Sequence, residues 1–134
     1  MASLIYTARA INRSQNTVSR EVGDAAERLA AVSLENAGYE ILGNNYFARV
    51  GEIDIVAKKD YVICFVEVKY RHRNDYGTAL EAVTRSKIQK ILKAARRYLV
   101  ENNLQDSDWR IDVVTVDQHN DVQVYENVYT EGMK

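Results

Sequence analysis

Apolar and polar positions along the chain follow two different periods. From Ser19 to about Ala37 the residues Val22, Ala26, Leu29, Ala30 and Ser33 recur every three or four positions, on one narrow face of a helix. Ser19 is the expected N-cap, because a serine hydroxyl accepts from the free amides of a first turn. Gly38 stands where a helix-ending glycine belongs, since glycine enters the left-handed region without a Cβ clash. Glu27 lies off the centre of the apolar face, where it can reach past the helix toward a sheet. The period then shortens to two over Tyr39 to Leu42, extending to Phe47, over Gly51 to Lys58, and over Tyr61 to Arg71. Lys59-Asp60 reads as the tight turn of an antiparallel hairpin between the last two. A helical period returns from Arg85 to Asn102, after a short helical turn over 78–83. Ile88, Ile91, Leu92, Ala95 and Leu99 form its apolar stripe, and Lys90, Lys93 and Arg97 fall on the opposite face. Trp109 to Asp117 and Val122 to Tyr129 read as strands around a turn at His119-Asn120-Asp121.

The order helix, three strands, helix, strand, and a final strand predicts an α/β or α+β domain, with a mixed sheet flanked by helices. The strand–helix–strand passage from Tyr61 to Asp117 predicts two parallel strands joined by a right-handed crossover. With no proline, repeat or low-complexity linker, residues 19–134 read as one domain behind a flexible N-terminal arm, residues 1–18.

Composition changes this picture little. At 134 residues, 46% hydrophobic and 28% charged, the chain can bury one core and is not expected to be disordered. No apolar run approaches the ~20 residues needed to cross a bilayer, and Met1 to Ser19 lacks the pattern of a signal peptide, so a cytoplasmic location is expected. The single cysteine, Cys64, lies in an apolar run and reads as a core residue.

Charge changes it more. The net charge is −1, yet Lys69, Arg71, Arg73, Arg85, Lys87, Lys90, Lys93, Arg96 and Arg97 face only Asp75 and Glu81 in their stretch, which therefore carries +7. Such segregation is the asymmetry of a phosphate-binding face. Arg71, Arg73, Lys87, Lys90, Lys93 and Arg97 are the candidate nucleic-acid contacts, although Lys87 borders the apolar stripe and equally suits a stem lying over the core.

Parity along the strands locates the chemistry. In the third strand Ile63, Phe65, Glu67 and Lys69 share a face that is apolar up to Phe65 and charged beyond it. In the second strand Glu52, Asp54 and Val56 share one face, and Ile53, Ile55 and Ala57 the other. Carboxylates on neighbouring buried strands repel each other, and a divalent cation removes that repulsion. Mg²⁺ or Mn²⁺ fits, since one or two carboxylates, a carbonyl such as that of Val68, and waters complete an octahedron. Lys69 could then orient attacking water or offset charge on a phosphate. A structural ion pair among Asp54, Glu67 and Lys69 is the other reading. Glu52 suits either an outer acid of the site or a solvated strand end. Asp112 reads as a structural charge paired with Lys87 or an arginine.

Gly51-Glu52-Ile53-Asp54 followed by Phe65-Val66-Glu67-Val68-Lys69 resembles the PD-(D/E)xK nuclease signature, with Ile53 where its proline would stand. With Gly23 to Glu27, Gly38-Tyr39, Asn45, Gly77, Val83 to Lys87 and Arg110 to Val114, the chain more narrowly resembles the YraN family, related to archaeal Holliday-junction resolvases. The resemblance implies a restriction-endonuclease-like fold. It also implies that Asp54, Glu67 and Glu27 are metal-binding acids and Lys69 is the catalytic lysine. The implied activity is metal-dependent cleavage of DNA, branched DNA included, by a protein acting as a homodimer. A non-catalytic nucleic-acid-binding module and a partner-dependent subunit are the alternatives.

Overall fold

The computed structural model describes residues 13–72 and 83–129, the side chains of 13–19 excepted. Arg73, and all but Val83 of the short helical turn expected over 78–83, fall outside them. Helix α1 spans Arg13–Asn36, so the expected cap at Ser19 is corrected. No proline or glycine stands between Arg13 and Gly23 to stop the helix, and Ser19 lies inside it. Its end follows the expectation. Gly38 takes φ 95°, the Gly38 amide donates to the Glu35 carbonyl and the Tyr39 amide to the Leu34 carbonyl, closing a Schellman motif.

Strands β1 (Glu40–Ala48), β2 (Gly51–Lys59) and β3 (Val62–Tyr70) form an antiparallel meander. Helix α2 (Arg85–Glu101) leads to β4 (Asp108–Val116), parallel to β3, and β5 (Val122–Tyr125) closes the sheet antiparallel to β4. The strands lie in chain order across one mixed sheet. The domain is α+β, with a helix on each face. Thr84 caps α2 by accepting from the Lys87 amide at 3.1 Å.

Alternation along β3 divides the core. Cys64, Val66 and Val68 join Ala26, Ala30 and Leu34 of α1, whose small residues let the helix approach the sheet. Ile63 and Phe65 join the α2 stripe of Ile88, Ile91, Leu92, Ala95 and Leu99, as expected, with Ala94 added. Phe65 sits edge-on to Tyr98 and Trp109 with ring centroids 5.7 and 6.0 Å away. Cys64 is fully buried, and burial pushes its thiol up to about 11, which leaves it inert. Asp112, wholly buried, accepts from Tyr39 Oη at 2.9 Å, Arg110 Nε at 3.0 Å and the Asn127 amide at 2.9 Å. Its partner is thus Arg110, not Lys87, and its role is structural.

Gly51 opens β2 against the second helix. A Cβ there would stand 3.1 Å from the Lys90 carbonyl oxygen and 3.2 Å from Lys90 Cβ. Both belong to a packed helix that cannot swing aside. Gly51→Ala is therefore expected to lower unfolding stability by about 1–3 kcal/mol, measured by urea denaturation; an unchanged midpoint would contradict the close approach.

Candidate metal centre

Strict alternation is interrupted twice in β1, by a register shift between Ile41 and Gly43 and by a left-handed residue at Asn45, and the candidate site is built at the second. In β1, Asn44 pairs with Ile55 of the α1 layer, whereas Tyr46, two residues on, pairs with Ile53 of the α2 layer. In β2, Ile55 and Ala57 belong to the α1 layer, whereas Ile53 joins Val56 in the α2 layer. The expected grouping of Ile53 with Ile55 and Ala57 is thereby corrected. Between the paired positions Asn44↔Ile55 and Tyr46↔Ile53 stand Asn45 and Asp54. Asn45 adopts φ 54°, a left-handed conformation that breaks the two-residue period, and the partner strand follows because opposed residues point the same way. Asp54 thus sits where β2 changes faces, not on a uniform strand.

The ladder between β2 and β3 ends at Ile55↔Val66. Beyond it the Val68 amide donates to Asp54 Oδ2 at 2.8 Å, inside the protein. The Asp54 carboxylate replaces a ladder acceptor and is pinned against β3. Glu67, 2% exposed, and Lys69, 5% exposed, emerge from β3 beside it. Burial raises both carboxyls, and their mutual hydrogen bond favours charge on Asp54 and the proton on Glu67. Glu67 is lifted from 4.5 to about 8 by burial and then by the charge of Asp54. Burial lowers Lys69 from 10.5 to about 7, against the pull of Glu67.

Glu27 and Lys87 arrive from the two helices. Glu27 is half-buried, hydrogen-bonded by the side chain of Asn45, and raised to about 7 by burial and then by Asp54. It does reach from α1 to the sheet, as its position off the apolar stripe suggested. Glu52 is half-buried and raised by burial and Asp54, with Lys87 opposing. Lys87 Nζ lies 3.7 Å from Glu67 Oε2. Among the described residues no three Asp, Glu, His or Cys side chains form a ready metal cage. Magnesium needs only one or two protein carboxylates, and Asp54 and Glu67 are the pair that could supply them. Glu67 Oε1 is buried without a hydrogen-bond partner, an unmet acceptor that a cation suits.

The remaining basic candidates divide. Lys90, Lys93, Arg96 and Arg97 are exposed on the outer face of α2, which extends about 25 Å. Arg97 Nε also bonds Glu101 at 2.9 Å. Arg71 is partly buried at the end of β3, its amide donating to the Val116 carbonyl. Lys87 turns toward the acids rather than standing with the exposed row. The sequence patterns did not announce the left-handed residue at Asn45; an asparagine interrupting a strand period was the available signal.

Fold and site together define a mixed-sheet α+β domain with two buried carboxyls, both raised by burial, and a buried lysine where the central ladder opens. The chain belongs to the uncharacterised protein family UPF0102, whose model matches residues 26–116, the family its sequence blocks resemble under the name YraN. It is 44% identical over 108 residues to a UPF0102 protein of Sulfurihydrogenibium sp., covering 81% of this chain and 93% of the relative. It is 44% identical over 94 residues to one of Chloroherpeton thalassium, covering 70% and 73%. Against one of Vibrio parahaemolyticus it is 36% identical over 115 residues, covering 84% and 95%. No described helix is long and apolar enough to cross a membrane.

Proposed function

We propose that the chain is a metal-dependent endonuclease of the restriction-endonuclease-like PD-(D/E)xK superfamily, hydrolysing DNA phosphodiesters in branched, Holliday-junction-like substrates. The observation that carries this reading is the buried, unpartnered Glu67 Oε1 beside the pinned carboxylate of Asp54. Two carboxyls forced to share a proton suit a site meant to share a cation instead. Asp54 and Glu67, with Glu27 from α1, would hold Mg²⁺ or Mn²⁺. Such an ion, when bound, polarises a phosphoryl oxygen and acidifies water.

The protein's own groups supply the rest. Val68 fixes the Asp54 carboxylate through its amide. Lys69, brought to about 7 by burial, exchanges its proton near neutral pH. It can take the proton of an attacking water or, charged, offset the phosphate. The exposed row Lys90, Lys93 and Arg97 supports contact with successive phosphates, which reads shape and backbone rather than sequence. Two symmetric cuts in a junction call for a homodimer.

The test is a cleavage panel of four-way junction, flap, single-stranded and duplex DNA with Mg²⁺ or Mn²⁺. Cleavage of the junction or flap in preference to duplex is expected. Retarded but uncut DNA across the panel would replace the nuclease with a binding module.

A further inference from the structure

We propose that Asn45 is a positioning residue of the acidic site: its left-handed backbone turns Asp54 into the site, and its side-chain amide holds Glu27 beside it. The inference rests on the metal-site reading above and adds a residue to it. Asp60, Asn103, Asn120 and Asn127 also adopt left-handed φ among the described residues, but all four lie outside the strands and helices. Asn45 lies inside β1. Downstream of a register shift between Ile41 and Gly43, the paired positions Asn44↔Ile55 and Tyr46↔Ile53 flank Asn45, and β2 changes core layer between Ile55 and Ile53.

Asparagine enters the left-handed region more readily than other residues with a Cβ, because its short amide bonds locally. Glycine would serve the backbone equally well. It has no amide to offer Glu27, and that is where the choice of asparagine matters. Glu27 borders an open groove of about 500 Å³ between α1 and β1, walled on the strand side by Asn44 and Asn45. The groove leaves that side of the carboxylate open, and Asn45, which lines the same groove, offers its side chain as a hydrogen-bond partner there. Partners of this kind orient metal-binding acids and commonly change metal affinity when removed.

Asn45→Gly keeps the backbone and deletes the amide; Asn45→Ala loses both. Asn45→Gly is expected to unfold cooperatively, yet to bind Mn²⁺ about tenfold or more weakly by calorimetry. Asn45→Ala is expected to lose roughly 3–8 °C in Tm as well. In metal-free protein, a urea double-mutant cycle with Glu27→Ala should show coupling of about fivefold or more in the unfolding constant. Mn²⁺ affinity of Asn45→Gly within about twofold of wild type, or additive effects in the cycle, overturns the proposal. Asp54→Asn serves as the control for loss of metal. A wild-type chain that binds no Mn²⁺ sinks the metal reading alone, and the cycle then decides on Asn45 by itself.

Discussion

Glu67→Gln is expected to stabilise the metal-free protein at pH 7.5 while abolishing its metal binding. Glu67 is raised from 4.5 to about 8 by burial and by Asp54, and Glu27 to about 7 by burial and by Asp54. A carboxyl raised on folding binds its proton more tightly in the native state than in the unfolded chain. Stability from it is complete below about pH 4.5 and is lost as pH rises through the folded value. Both acids lose stability between about 4.5 and 7. Lys69, lowered to about 7, runs the other way: its unfolded form holds the extra proton, so stability rises with pH between about 7 and 10.5. The net fall should therefore be steepest from pH 4.5 to 7, flatten between about 7 and 8 where Glu67 and Lys69 oppose each other, and turn to a rise above about 8. A glutamine in place of Glu67 has no charge to bury, so the variant should gain on the order of 2–4 kcal/mol at pH 7.5, less what the half-exposed Lys87 loses as a partner. Urea titrations from pH 4.5 to 9 in EDTA, repeated with Mg²⁺, measure this; Mg²⁺ should remove the wild-type slope by favouring both charged carboxylates. Loss of stability in Glu67→Gln, with a flat wild-type profile, would identify a structural ion pair with Lys69 and Lys87.

Lys69→Ala is expected to reduce cleavage of the best substrate by about 10²–10³-fold or more while leaving Mn²⁺ affinity near wild type. The lysine is buried at the end of β3 and lies among the acids, so it acts where the phosphate would sit rather than as a ligand. Lys69→Arg separates its two roles. A guanidinium keeps the positive charge but does not give up its proton; recovery of activity assigns charge compensation, and none assigns proton acceptance. Full activity in Lys69→Ala would place the chemistry elsewhere or in a contaminating enzyme. The fall should appear in single-turnover rates, because the side chain is asked to act on the reacting phosphate rather than on distant parts of the substrate.

Much of the fold is legible in the pattern of residues alone. The α2 stripe from Ile88 to Leu99, the hairpin of β2 and β3 and the parallel β3–β4 pair follow from periods of 3.6 and 2 and from connection length. The charged end of the β3 face, Glu67 and Lys69, follows from the same alternation. The pattern underestimates α1, because the apolar stripe fades toward Arg13 while the backbone still has nothing to stop it. It marks Asp112 as a buried charge needing a partner, but Arg110 sits two residues along the same strand and the other donors come from Tyr39 and Asn127. No local period announces such a combination.

The elements, their order and the strand ends that carry acids depend on neighbours a few residues apart, and so the chain's own pattern settles them. Packing of the whole sheet settles the rest: Asp54 sits at a change of face, Val68 pins it, and Glu27 and Lys87 meet it from opposite helices. The register shift between Ile41 and Gly43 and the left-handed residue at Asn45 each break the alternation of β1, and a count by twos carries the error past them unseen. Contacts between distant segments form only when those segments are brought together, so the buried pair at the head of this site is a property of the fold that the pattern of Glu67 and Lys69 could only suggest.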